Sequence, residues 1–261
     1  MRLMTIALAA TYNPRGEIPR LQRIYSHIQG AYSNVIISLP SSAAPDEIMQ
    51  IKSLPGAQVI VNEDWSRGRY VVLQAAFEMG ADHIHYADLD RLIRWIETRP
   101  DEWQQTLKRL QQSDCLVIGR TEAAWATHPQ VMIQVEKMIN SNFSYLLGQD
   151  LDFGAGSKSF SHRAAGVILA NSQPQNALGT DVEWPILLHR TGFKVESLLV
   201  DGLDWEIPDQ YQDHAADLAR QQQIAVEYDA ELKNWTQRVN DTVNVFGAGL
   251  DALQRELTGV K

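Results

Sequence analysis

The feature that most limits how this chain can fold is the rhythm of its first half, where short apolar runs alternate with stretches of helical periodicity. Thr5 to Ala10, Asn34 to Leu39, Gln58 to Val61 and His83 to Ala87 are short and apolar enough to be buried strands. Between them, Pro19 to Gly30 carries Leu21, Ile24, Tyr25 and Ile28 on one helical face, and Pro45 to Leu54 carries Ile48, Ile51 and Leu54. Tyr70 to Met79 is a third helical pattern. Strand and helix in strict alternation imply a mostly parallel sheet with helices on both faces, an α/β architecture.

The second half is less regular. Arg91 to Glu97 and Asp101 to Gln112 read as helices, Cys115 to Gly119 as a strand, and Pro129 to Leu147 as a helix. The Gly-rich Gln149 to Ser161 shows no period, and Ser161 suits the cap of a helix over Arg163 to Asn171. Asp181 to Arg190 reads as a further helix with Pro185 in its first turn, and Lys194 to Val200 as a late strand. From Pro208 the pattern changes to one long amphipathic stripe through Leu218, Ala225, Leu232, Trp235, Val239, Val243 and Phe246, interrupted at Gln222 and ending near Gly247. This divides the chain into a main domain over 1–206 and a C-terminal helical extension over 207–261. The extension either lies across the domain or serves as a dimerising arm that makes a homo-oligomer.

Composition bounds the function classes. With 261 residues, 44% hydrophobic and 21% charged, the chain can bury a sizeable core. A net charge of −9 argues against a general nucleic-acid binder but leaves room for a nucleotide ligand, which needs only local cations. Cys115 is the single cysteine, so no disulfide or cysteine metal cluster forms within the chain, which fits a reducing cytoplasm. The apolar start, Leu3 to Ala10, lacks the basic lead of a signal peptide and works better as a first strand. No stretch approaches the ~20 apolar residues of a membrane span.

The chemistry gathers at Gly80 to Trp95, GADHIHYADLDRLIRW. Asp88 and Asp90 stand where the fourth strand ends, and ligands of open α/β sheets bind at the carboxyl ends of strands. Alternate residues of an extended segment point the same way, so the two carboxylates can converge on one hard cation, Mn2+ or Mg2+, with Leu89 turned aside. The bland alternative is a turn with two solvated carboxylates. His83 and His85 alternate along the same strand and suit packing or capping more than metal binding. Absences narrow the field: there is no G-x-G-x-x-G after the first strand, no P-loop, no G-x-S-x-G elbow and no H-E-x-x-H.

The run from Ser66 to Arg91, SRGRYVVLQAAFEMGADHIHYADLDR, resembles the central signature of GT-A glycosyltransferases, particularly family-2-like enzymes. Phe153-Gly154-Ala155-Gly156 and Phe160-Ser161-His162-Arg163 are similar to the family's segment that approaches donor sugar and acceptor. Gly179-Thr180-Asp181-Val182-Glu183-Trp184 resembles its acidic motif before a helix. Leu39-Pro40-Ser41-Ser42 lacks the acidic cluster common after the second strand, and Thr-Asp-Val-Glu replaces the usual acidic triplet, so the resemblance is to a divergent branch.

The resemblance implies the GT-A fold and a metal-dependent transfer of a sugar from a nucleotide-diphosphate donor to a hydroxyl acceptor. It implies a metal held by Asp88 and Asp90, with Asp90 the direct ligand and a third ligand from Asp204, Glu206 or His214. Donor-binding roles fall to Thr11, Tyr12, Arg67, Arg69 and Asp88, with Tyr12 stacking on the base and Arg69 on the diphosphate. Gly154 and Gly156 line the acceptor side. Asp181 takes the general-base role with Glu183 beside it, which favours inversion. Trp205 either stacks on a sugar or packs. The competing readings are a sugar nucleotidyltransferase and a non-catalytic nucleotide-sugar-binding protein of the same fold. The first normally shows a Gly-rich basic loop after strand one, where this chain has only Arg15 and Gly16.

Overall fold

The computed structural model describes residues 4–173 and 178–258; of the apolar start, Leu3 lies outside them. Seven strands form one sheet: β1 (Ile6–Thr11), β2 (Asn34–Pro40), β3 (Ala57–Asn62), β4 (His83–Asp88), β5 (Cys115–Arg120), β6 (Ser157–Ser161) and β7 (Val195–Val200). Their order is β3-β2-β1-β4-β6-β5-β7. All neighbours pair in parallel except β6, which runs antiparallel between β4 and β5.

The period of two along β1 splits the core in two. Ile6, Leu8 and Ala10 face one side and pack with α1 (Ile18–Ala31), α4 (Leu89–Thr98) and α5 (Pro100–Leu110). Ala7 and Ala9 face the other, against α3 (Gly68–Glu78), α7 (Gln130–Leu147), α8 (His162–Asn171) and α9 (Thr180–Arg190). The early connections, through α1, α2 (Pro45–Lys52) and α3, are the crossovers that a parallel sheet requires.

Three local expectations are corrected, and one short helix is added to those read from the sequence. The segment read as irregular contains β6, a central strand whose sequence is Ser-Lys-Ser-Phe-Ser. Its polar side chains are buried yet satisfied: Ser157 Oγ lies 2.9 Å from His85 Nε2, and Ser159 donates to Leu110 O. A short helix, α6 (Glu122–Trp125), is capped by Thr121. Pro185 lies inside α9 in its second turn, so the carbonyl of Asp181 loses the helical donor a residue with an N–H would supply.

The C-terminal stripe is broken at Glu231, not Gln222, into α10 (Leu218–Ala230) and α11 (Leu232–Gln254), and α11 runs on past Gly247. α11 lies across α7 and α9, where Val245, Phe246, Ala252 and Leu253 join the core of the sheet. Gly249 is required at that crossing, because a Cβ there would stand 2.2 Å from the ring of Phe143. No helix among the described residues is long and apolar enough to cross a membrane.

Candidate active site

The register of the sheet builds the site. Thr11 ends β1 directly opposite Asp88 at the end of β4, and Thr11 Oγ1 donates to Asp88 Oδ1 at 3.0 Å. The hydroxyl of Tyr86 donates to the same oxygen, and Arg69 Nη2 donates to Oδ2 at 3.1 Å. Gly156 leaves room for this carboxylate: a Cβ there would meet Asp88 Oδ2 at 2.4 Å, and its φ of 71° is one that side chains disfavour. Its carbonyl also accepts from the Asp88 amide at 2.9 Å. Gly156 thus shapes the seat of Asp88. Gly154, by contrast, lines the cavity next to it.

Leu89 is fully buried and Asp90 faces the cleft beside Asp88. Burial, Glu206 and Asp88 together push the Asp90 carboxyl up to about 8, although the Arg91 side chain and backbone amide act in the opposite sense. Of the three late candidates for a metal ligand, the structure brings only Glu206 to this point. Asp204 is taken by Arg94, at 2.7 and 3.0 Å, and by Arg99. His214 is exposed and stands outside the cleft. Glu206 is buried, and its Oε2 has no hydrogen-bond partner; Arg91 Nε lies 3.3 Å away without the geometry of a bond. The loop that presents Glu206 is held from behind by Arg94 and Arg20, which bind Asp209 at 2.7 and 2.9 Å.

A buried carboxylate oxygen that accepts no hydrogen bond and has only the Arg91 charge beside it, next to a carboxyl group pushed up by its neighbours, fits a hard cation. Among the described residues, no group of three or more His, Cys, Asp or Glu side chains is arranged to hold a metal unaided. Mg2+-like ions take one or two carboxylates and complete their shell with water and substrate phosphate. Asp90 and Glu206 are the pair in position, since Asp88 is turned toward Arg69 and Thr11.

Arg69 is buried and bridges two acids, Asp88 and, at 2.7 Å, Asp181. The other oxygen of Asp181 meets Lys158 Nζ at 2.7 Å, and that lysine, 1% exposed, also donates to Phe153 O. Burial works to raise the Asp181 carboxyl, but the two cations outweigh it and hold it below the usual carboxylate range. A carboxylate neutralised by two buried cations is a poor proton acceptor, so this arrangement does not favour the general-base role expected of Asp181.

Three further expectations change. Glu183 points away from the cleft, accepting from Ser172, Gln173 N and Arg255, so it ties α9 to the end of α11. Tyr12 is 1% exposed with its ring in the core, leaving no free face for a base. Arg67 is exposed on the 3-10 turn Trp65–Arg67 and does not line the cleft. Trp205 packs with Val131, Met132 and Ala225 and is fully buried.

Two cavities flank Arg69 and Asp88. The outer cleft, about 260 Å³, is lined by Thr11, Asn13, Trp65, Asp90 and Glu206 among others. The inner one, about 100 Å³, lies between α7, α9 and α11 with Glu136, Phe153, Asp181 and Asp241 on its walls. Sequence reasoning missed Trp65, whose ring is 41% exposed over the outer cleft on a turn pinned by Asp64. An exposed tryptophan next to the donor-site motif was the available signal. It also missed Glu136, Arg238 and Asp241, which helical periodicity cannot assign to a cleft.

No family model matches the chain, and no curated protein matches it in sequence. Solved structures do resemble it. Glucosyl-3-phosphoglycerate synthase from Mycobacterium tuberculosis, in complex with Mn2+, uridine-diphosphate-glucose and phosphoglyceric acid, superposes with a TM-score of 0.58 at 12% identity, over 98% of this chain and 82% of that one. The same enzyme with uridine diphosphate gives 0.57 at 11% identity, again over 98% and 82%. A mycobacterial protein without a stated activity gives 0.60 at 12%, over 98% of this chain and 77% of that one. With the strand order and the antiparallel β6, these show that the chain has the GT-A fold.

Proposed function

We propose that the protein is a metal-dependent glycosyltransferase that moves a sugar from a nucleoside-diphosphate donor to a hydroxyl acceptor. The observation that carries this reading is the convergence of Asp90 and Glu206, whose Oε2 accepts no hydrogen bond, in a cleft at the ends of β1 and β4. Support comes from solved structures of the same fold whose ligands are Mn2+, a uridine-diphosphate sugar and a small acceptor.

In this reading Asp90 and Glu206 hold a divalent ion, Mn2+ or Mg2+, which would offset charge on the departing diphosphate. Thr11 and Asp88 form the floor of the donor cleft, and Trp65, not Tyr12, offers the face on which a base can stack. Arg69 is held at the junction of the two cavities by Asp88 and Asp181, where a guanidinium favours the leaving phosphates. The inner cavity takes the acceptor. Its hydroxyl oxygen bonds to the anomeric carbon as the bond from that carbon to the diphosphate oxygen breaks. The electron pair leaves with the nucleoside diphosphate, and the hydroxyl proton passes to the phosphate oxygen so released. The inverting course that rested on Asp181 as base is not part of this proposal.

Calorimetric titration of UDP and GDP, with and without Mn2+, into wild type and Asp90→Ala tests it. Binding of one nucleotide that needs both the metal and Asp90 supports the reading. No metal-dependent nucleotide binding in the wild type overturns it and returns the chain to a binding protein of the same fold.

A further inference from the structure

Arg238, on α11, is the one side chain of the C-terminal helices that lines both cavities. Its situation differs from that of the other arginines there. Arg69 is neutralised by Asp88 and Asp181, and Arg91 faces Glu206. Arg120, behind the inner cavity, is bound to Glu136 and Asp152 at 2.6 and 2.7 Å. Arg238 has no carboxylate within ion-pair distance among the described residues. Its Nε donates to the hydroxyl of Tyr228 at 3.1 Å, and its terminal nitrogens donate to nothing described. The side chain is half-buried, so part of its hydration has been removed without a counter-charge in return.

The helix that carries it is fixed. Val245, Gly249 and Ala252 are buried in the core, and Gly249 lets α11 come down on Phe143. The guanidinium is thus presented from a rigid element, with Nε anchored and the fork of terminal N–H groups free. That fork matches the two oxygens of a phosphate or carboxylate.

We propose that Arg238 is an anion-binding residue of this site, clamping a phosphate or carboxylate at the junction of the two cavities. The anion has two sources of the same chemistry, the donor's diphosphate or an anionic group carried by the acceptor. The inference rests on the transferase reading for its substrates, but not for its physics. A cation that meets Tyr228 but no carboxylate among the described residues, on the walls of both cavities, selects an anion whichever molecule brings it.

The test is Arg238→Met, with Arg238→Lys as the variant that keeps the charge and loses the fork. Binding of the nucleoside diphosphate and the matching monophosphate is measured with Mn2+. Inorganic phosphate, standing in for an acceptor anion, is titrated into protein saturated with the diphosphate and into free protein. If the donor is the source, Arg238→Met weakens the diphosphate about 10- to 100-fold, as expected for a charge-assisted bond, and leaves the monophosphate unchanged. If the acceptor is the source, nucleotide binding is unchanged and phosphate binding is lost. In either case Arg238→Lys falls between. Equal affinities in wild type and Arg238→Met for all the probes overturn the proposal, as does a wild type that binds none of them. A wild type that binds phosphate through Arg238 but no nucleotide with metal would overturn the transferase reading alone.

Discussion

Lys158→Met measures how strongly the buried charges behind the site are coupled. Lys158 sits in the centre of the sheet on β6, with its ammonium bonded to Asp181 at 2.7 Å and to Phe153 O at 2.8 Å. Methionine keeps most of the volume, so the cost is electrostatic. Removing one partner of a buried pair costs about 3–5 kcal/mol. Arg69 remains 2.7 Å from Asp181 and still neutralises it, which places this case at the low end, about 3 kcal/mol. For a chain of this size that corresponds to a fall in Tm of roughly 6–12 °C. The assay is urea denaturation at pH 7, with thermal melting alongside.

A double-mutant cycle with Asp181→Asn isolates the pair. Lys158→Met should cost about 2 kcal/mol less in that background, since the carboxylate it serves is already gone. The pH dependence has a definite sign. Because the folded carboxyl of Asp181 is held below its ordinary value, the stability it contributes is present above about pH 4 and lost as pH falls further. The gap between wild type and Lys158→Met should therefore narrow in acid. A single-variant cost under about 0.5 kcal/mol, or strict additivity in the cycle, would refute the reasoning and reopen Asp181 as a free base.

Trp65→Ala should lower nucleotide affinity by about 1–3 kcal/mol, the range of one base stacked on an aromatic ring, while Tyr12→Phe leaves it unchanged; calorimetric titration with Mn2+ distinguishes them. His85 lies buried between Tyr32 Oη at 2.7 Å and Ser157 Oγ at 2.9 Å, and burial lowers its pKa from 6.5 to about 3. The unfolded chain therefore takes up this proton first as pH falls, and stability is lost by about 1.4 kcal/mol per pH unit between roughly pH 6.5 and 3. Denaturation midpoints of wild type and His85→Gln across that window should show the shallower slope in the variant, and equal slopes would rule out a buried neutral imidazole.

Sequence alone determined the sheet's parallel half and the place of the cleft. β1 to β4 are short apolar runs joined by helices of clear period, and that pattern admits little except parallel strands whose carboxyl ends gather at one edge. Asp88 and Asp90 were legible there because strand end and acid coincide in one short stretch. β6 was not, since Ser-Lys-Ser-Phe-Ser has no apolar period. It is a strand because His85, Asp181 and Leu110, from distant parts of the chain, satisfy its polar groups. Tertiary structure also decided which candidates face the ligand. The sequence motif offers Asp181 as a base, whereas the fold brings two cations, one from a helix and one from a strand, onto its carboxylate. Asp204, Glu206 and His214 are equivalent in the sequence, and the fold separates them by giving Asp204 to Arg94 and leaving Glu206 an oxygen that accepts no hydrogen bond. Arg238 reaches the site only because α11 folds back over α7 and α9. Local propensity follows from the residue and its near neighbours, whereas charge pairing depends on which groups the fold brings within a few ångströms of each other. The strands and helices could therefore be read in order along the chain, and the roles of the charged residues could not.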